Sequence, residues 1–328
     1  MKNKIALDHF QKSFIQLYKA KLGTHTNLAE KLSSDLNTSL ACAYRKINGK
    51  TKLTLSDVMH LSSKYLISTD YAMQSNSNNV VLFNRSEKIR KEQDMIIYFE
   101  KILNDLQELT LFPNATLYYS ARDLPLFHYF KYPNLSIFKL QVWIRSQAVS
   151  AAHLHHVFQP EEISNRLSQL SSEIANTYNK LSTIELWTTR TLSNVLEQIK
   201  YCYYSGHILR PTALSIIDDV LKMIDDCEYR TKQNQKRARY RTEVYLCDYI
   251  MMANGALANI NSNRKAWIAY SGIELISTND EAFCRDFETA FLSHMNMGVQ
   301  ISGSAARQRS SFFSQLRMHV NEVLQIVK

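Results

Sequence analysis

Between residues 37 and 52 the chain gathers hydroxyl, amide and cationic side chains whose chemistry suits a polyanion. Asn37, Thr38 and Ser39 open a short polar helix, and such a helix fits the major groove of a duplex and offers hydroxyls and amides to base edges. Behind it, Arg45, Lys46 and the loop Asn48-Gly49-Lys50-Thr51-Lys52 supply backbone amides and ammonium groups suited to phosphate oxygens. Helical bundles with an Asn-Gly turn and a basic loop also serve as protein-interaction modules. Lys50 and Lys52 also fit a plain solvated surface, and Cys42 fits either a groove contact or a small buried residue.

Other clusters carry weaker chemistry. Ser302-Gly303-Ser304 precedes a helix containing Arg307 and Arg309, so free amides and guanidinium groups form a candidate anion site. A capped turn with ion-paired arginines explains the same residues. The run from Arg230 to Arg241 is strongly basic and reads as a solvated loop, with supplementary DNA contact or an anionic ligand as alternatives. His153-Leu154-His155-His156 has no cysteine or carboxylate at useful spacing except Glu161 and Glu162, so no metal is expected. No phosphate-binding loop, dinucleotide fingerprint, hydrolase elbow or zinc-protease motif occurs, so neither a cofactor nor catalysis is expected.

The elements that must position residues 37–52 follow from pattern. Residues 6–21 put Leu7, Phe10, Phe14, Leu17 and Tyr18 on one helical face. A link with Gly23 leads to a helix near 26–34 with Leu28, Ala29 and Leu32 inward. Asn37 can cap a third helix running to about Lys46, and Asn48-Gly49 can end it, since glycine takes the left-handed conformation without a Cβ clash. Thr54 and Asp57 have capping-box spacing for a fourth helix that buries Leu55, Val58, Met59, Leu61 and Ser62 or Tyr65.

This stretch resembles the lambda-repressor-like, Cro-type helix-turn-helix family. The likeness lies in Leu28-Ala29-Glu30-Lys31-Leu32 and in Tyr44-Arg45 leading to Asn48-Gly49-Lys50. It continues through Leu55, Val58 and Leu61 and into Tyr65-Leu66-Ile67-Ser68. The resemblance implies an all-α fold, dimeric binding to a palindromic operator, and base reading by the first turns of the third helix. It makes Thr38, Ser39, Cys42 and Arg45 the residues nearest bases, and Asn48, Lys50 and Lys52 the backbone clamps. Three departures stand out, the first being Ile47 where the family commonly has an acidic residue just before the Asn-Gly turn. The stretch from Leu32 to Gly49 is longer than usual by about one helical turn. The turn Ser33-Ser34-Asp35-Leu36-Asn37 lacks the usual glycine.

Charge follows the same division. Of the net +9, residues 1–75 hold eleven Lys/Arg and five Asp/Glu, a balance of +6. The remaining 253 residues share +3. A basic head on a nearly neutral body is expected when one domain meets phosphates and the other does not. The composition, 45% hydrophobic with 5 prolines and 7 glycines, is that of a folded chain. No apolar run is long enough to span a bilayer, and residues 1–14 have no signal-peptide pattern. Five scattered cysteines fit reduced thiols in a cytoplasmic protein.

The expected architecture is multidomain: an all-α helix-turn-helix bundle over 1–75, a linker at 76–80, and an α+β region over 81–328 with an antiparallel sheet and long helices. A subdivision near 210 is an option. In that region the pattern predicts a helix at about 85–108, a strand in 115–123, and mixed helical turns and a strand over 127–144 broken at Pro133. The aromatic residues of that tract, from Phe127 to Trp143, make a core or line an aromatic ligand pocket. Further helices are predicted from Pro160, over 183–204, from Pro211, over 280–295 and over 304–327. Strands are predicted in 243–252, 255–261, 264–272 and 273–278, with a hairpin turn at Asn261-Ser262-Asn263. The expected function is a sequence-specific DNA-binding regulator, with duplex DNA, a second copy of the chain and an unidentified effector as partners, and no membrane. A non-catalytic protein-interaction adaptor is the alternative.

Overall fold

The computed structural model describes residues 2–22, 26–73, 81–86, 88–147, 156–237, 240–249, 253–260 and 263–328. The chain divides into two compact units, Met1–Leu82 and Phe83–Lys328. The linker expected at 76–80 and the first three residues of the histidine cluster lie outside the described residues.

The first unit is helical: α1 (Lys2–Leu22), α2 (Leu28–Asp35), α3 (Leu40–Ile47), α4 (Leu55–Tyr65) and the short α5 (Thr69–Met73). Phe14 and Tyr18 from α1 meet Leu32, Ala43, Val58 and Leu61 in its core. Three expected core residues, Leu7, Leu55 and Met59, are instead exposed. Asn27 starts α2 by accepting from the Ala29 and Glu30 amides. Thr54 and Asp57 close the capping box of α4 reciprocally. The cap of α3 differs from expectation: Ser39 fills it, accepting from Cys42 N at 3.2 Å. Asn37 sits at φ 46 in the left-handed region, which asparagine tolerates better than most residues, so it takes the turn position that a glycine would fill.

Asp35 holds the bundle from within. Its buried carboxylate accepts from Tyr18 Oη (2.7 Å), Tyr65 Oη (2.5 Å) and Lys64 Nζ (2.9 Å), while Lys31 lies at 3.4 Å. Helices α1, α2 and α4 are thereby tied to one anion. Its donors outweigh burial and hold the carboxyl well below the ordinary range.

The strands described in the second unit form one mixed sheet. They are β1 (Asn84–Arg85), β2 (Thr116–Ser120), β3 (Ser182–Trp187), β4 (Gln235–Arg237), β5 (Tyr240–Leu246), β6 (Gly255–Ile260), β7 (Asn263–Ser271), β8 (Glu274–Thr278) and β9 (Val299–Gln300). The order is β1-β8-β7-β6-β2-β3-β5-β4, with β9 added antiparallel to β5. Strands β2, β3 and β5 run parallel, and β6 pairs antiparallel with β2. The sheet is therefore parallel at its centre, where helices must carry the crossovers, and antiparallel on both sides of it.

The crossovers are α7 (Pro133–Gln147) and α8 (Asn165–Tyr178) between β2 and β3, and α9 (Ser193–Tyr204) and α10 (Arg210–Gln233) between β3 and β5; α6 (Glu92–Thr110), before β2, and α12 (Ala306–Val327), after β9, join them. With a 3-10 turn at Leu126–Lys131 they share one core with Leu117, Trp187, Val244 and Ala256 of the sheet. The opposite face, bearing Tyr118, Ile184, Leu186 and Leu257, packs on α11 (Glu281–Met297) through Phe287 and Phe291.

Several elements differ from the sequence pattern. Residues 183–187 are a strand, because Thr183, Glu185 and Trp187 alternate with Ile184 and Leu186 between two covered faces. No continuous helix crosses 180–183 as a result. Residues 127–144 contain no strand: the 3-10 turn ends before Pro133, which starts α7, and Asp219 of α10 accepts from the Asn134 and Leu135 amides there. Pro160–Glu162 is a separate 3-10 turn, and α8 begins after its cap Ser164. Helix α6 begins at Glu92 rather than near 85, since Asn84 and Arg85 pair with β8. The basic run from 230 is not a loop: it closes α10 and enters β4 and β5. Of the expected turn at 261–263, Asn261 and Ser262 lie outside the described residues, while Asn263 pairs with Ile260.

Candidate functional site

The loop after α3 is held in place by one buried side chain. Gln11 of α1 donates through Nε2 to Lys46 O (2.7 Å) and Thr51 O (2.8 Å), and its Oε1 accepts from Leu53 N (3.2 Å). An amide can serve all three backbone groups because it carries both donors and an acceptor. Gly49 reverses the chain at φ 72, with Gly49 N donating to Lys46 O. Asn48, Gly49 and Lys50 are exposed along this loop.

Helix α3 shows Leu40, Ala41, Tyr44, Arg45 and, just past its end, Asn48 to solvent. Ala41, Tyr44, Arg45 and Asn48 stand one and two turns apart and so share one face. Arg45 is at its edge, Ser39 is exposed at its start, and Thr38 and Cys42 are half-buried. The pattern-based list omitted Ala41 and Tyr44, although the same spacing marks them. Asn37 is exposed in the turn but caps no helix.

The cations divide into two kinds. Lys50 stands exposed, and the half-exposed Lys52 pairs with the exposed Asp8. Exposed pairs of this sort are weak, so Lys52 can exchange its partner for a phosphate. Lys46, expected to face phosphates, is 7% exposed and pairs with the capping-box carboxylate of Asp57. It is a structural cation, and its ammonium helps keep the Asp57 carboxyl below the ordinary range against burial.

The anion site expected at 302–309 is already filled by the protein's own groups. Arg309 is buried and donates to Ile301 O (3.1 Å) and Gly303 O (2.7 Å). Ser302 Oγ accepts from Val244 N (3.2 Å) and Gln300 Nε2 (3.0 Å), and Gly303 N donates to Thr231 O (3.0 Å). Ser304 and Arg307 are exposed, with Arg307 left as a surface charge beside a locked turn. Arg230 of the basic run is likewise spent, donating to Asp226 O and Asn179 Oδ1.

No local pattern marks the buried carboxylate in the parallel strands. Glu185 accepts from His128 Nε2 (2.8 Å), Tyr178 Oη (2.7 Å), Thr183 Oγ1 (3.1 Å) and Trp187 Nε1 (3.0 Å). On the far side of the imidazole, Cys227 Sγ lies 3.9 Å and Arg230 Nη2 3.3 Å from His128 Nδ1. Burial opposes charge on His128, but Glu185 outweighs it and raises the ring's pKa; His128 and Arg230 lower that of the Cys227 thiol against the same burial. Thiol, imidazole and carboxylate are thus aligned as in a nucleophile relay. The cavity beside them is only about 10 Å³, room for at most one water, and Cys227 is 3% exposed. In this structure the alignment is enclosed by its neighbours, with no room for a substrate beside the thiol.

No family model matches the chain, and no curated protein and no solved structure matches it. No described helix is long and apolar enough to cross a membrane, and the described residues hold no cluster of metal-ligating side chains.

Proposed function

We propose that the protein is a sequence-selective regulator that binds duplex DNA through its first unit. The observation that carries this reading is the exposed face of α3, with Ala41, Tyr44, Arg45 and Asn48 beside the Gln11-anchored loop bearing Lys50 and Lys52. A short helix with an outward polar and aromatic face meets base edges, and a rigid basic loop at its end meets phosphates. The +6 balance of residues 1–75 supports the same placement. A dimer would give two such faces on a symmetric operator. Leu55 and Met59, one turn apart on α4, and Leu66 just past its end are exposed apolar residues that suit a second copy.

Selection of bound sequences from a random duplex library tests the reading with the full chain. A recurrent motif, with affinity falling steeply as salt rises, is the expected result. Weak binding without sequence preference, at any salt concentration, overturns it.

The adaptor reading draws on one observation: Leu40 and Tyr44 are 44% and 49% exposed on α3. An apolar pair there suits a protein groove. Binding indifferent to salt and to duplex DNA would favour it.

A further inference from the structure

A cavity of about 270 Å³ opens beside the carboxyl end of β2 and the turn between β7 and β8, bordered by α7 and the start of α9. The carboxyl ends of parallel strands are where open sheets commonly take ligands. Its volume equals that of roughly nine waters of liquid. Three chemical groups in its wall are incompletely used.

Lys139 is 2% exposed and lies against two aromatic faces, 4.9 Å from the Tyr129 ring centre and 5.2 Å from that of Trp143. Its ammonium donates to Gln198 Oε1 at 2.9 Å and approaches Asp123 Oδ2 only to 4.0 Å. An ammonium has three donors, so one hydrogen bond leaves it underused. Tyr129, 1% exposed, has a hydroxyl with no hydrogen bond of ordinary length, the Asp123 carboxylate and the Leu124 backbone being the polar groups near it. Asp123 is the third group. Its Oδ1 accepts from Leu124 N and Leu192 N, whereas Oδ2 has Asn194 Nδ2 at 3.5 Å and Lys139 Nζ at 4.0 Å, and the Tyr129 hydroxyl lies near the carboxylate without a bond of ordinary length.

Buried donors left unspent are costly, and their convergence on a cavity marks the place of an acceptor. The fixed charges here are one cation and one anion, summing to zero. A simple anion would leave a net buried charge, whereas a zwitterion matches both. Leu124, Leu126, Trp143, Ile273 and Leu275 make the rest of the wall largely apolar.

We propose that this cavity binds a free α-amino acid with an uncharged, apolar side chain. The ligand's carboxylate takes the donors of Lys139 and Tyr129, its ammonium takes Asp123 Oδ2, and its side chain lies against Trp143 and the aliphatic wall. Burial alone holds the Lys139 ammonium below the ordinary lysine range against the pull of Asp123, and a bound carboxylate relieves that cost. The inference stands apart from DNA binding, because it is read on the full chain without DNA.

The test is calorimetric titration and thermal shift of the full chain with each of the twenty free L-amino acids. Leucine and phenylalanine are also offered as N-acetyl and as carboxamide derivatives. Saturable binding of one or more apolar amino acids, lost on blocking either end, is expected. Tyr129→Phe removes only a hydroxyl that has no hydrogen bond of ordinary length, so the unliganded protein keeps its melting temperature while binding weakens about tenfold. Absence of binding at millimolar concentration overturns the proposal. So does binding that survives both blocking groups, or an affinity that Tyr129→Phe leaves unchanged.

Discussion

Tyr18 Oη donates to Asp35 Oδ2 across 2.7 Å, joining the carboxyl-terminal part of α1 to the last residue of α2 inside the first unit. Tyr65 Oη reaches the same oxygen from α4, so three helices depend on one acceptor. Asp35→Ala orphans these donors and is expected to cost the unit about 2–4 kcal/mol. Denaturant unfolding followed by helical circular dichroism measures it, and an unchanged midpoint would show the contacts to be incidental.

The same carboxylate sets an acid limit. Its folded pKa is depressed, so its contribution is complete above the ordinary carboxyl pKa of about 4 and fades as pH falls towards the folded value. Stability of the first unit should therefore decline as pH drops below about 4, more shallowly in Asp35→Asn. Parallel acid titrations of the two proteins give the comparison.

Three lysines close in sequence should respond differently. Lys50→Ala and Lys52→Ala are each expected to lower the slope of log affinity against log salt for duplex DNA by about 1. Lys46→Met should leave that slope intact and reduce stability, because its partner is Asp57. A reduced salt slope in Lys46→Met with unchanged stability would refute the division.

Thiol chemistry separates surface from core. Cys42 is half-exposed, whereas Cys202, Cys227, Cys247 and Cys284 are buried. A chromogenic disulfide reagent should find one fast thiol in the folded protein, and four more only on denaturation. Bound duplex should slow the reaction at Cys42. Rapid reaction at Cys227 would instead mean that its relay with His128 is accessible.

Glu185 should behave as a structural anion. Glu185→Gln puts an amide donor among four donors, and a loss of roughly 2–4 kcal/mol is expected. A global unfolding curve reads it, and an unperturbed one would show that the network relaxes freely.

The two-part architecture was legible because long helices and alternating strands leave strong periodic signals. The capping box at Thr54 and Asp57 and the glycine turn at Gly49 were legible for the same reason: each depends on near neighbours in sequence. What failed depended on distant partners. Asn37 and Ser39 are both good cap residues, and the choice falls to Ser39 because Asn37 is needed in the left-handed turn. Residues 183–187 read as the start of a helix because both faces of the strand are covered, which blurs a period of two. Lys46 looked like a surface cation until Asp57, eleven residues on, came to meet it. Arg309 looked free until the carbonyls of Ile301 and Gly303 surrounded it. The cavity beside Lys139 joins residues from 119 to 275, a set that no local spacing reveals.

The pairing of β1 with β8 joins Asn84 and Arg85 to Ser277 and Ile276. The same seam has Glu274 Oε1 accepting from Ile89 N, and Tyr98 Oη donating to Ile273 O. A ribosome releases these two margins nearly two hundred residues apart. Closing so long a loop is slow relative to local helix pairing. The first unit, built from contacts within its own span, can be finished on the nascent chain while the second still lacks an edge. The order of synthesis therefore leaves the opening segment of the second unit waiting for its partner, and a chain truncated before residue 273 would expose it permanently.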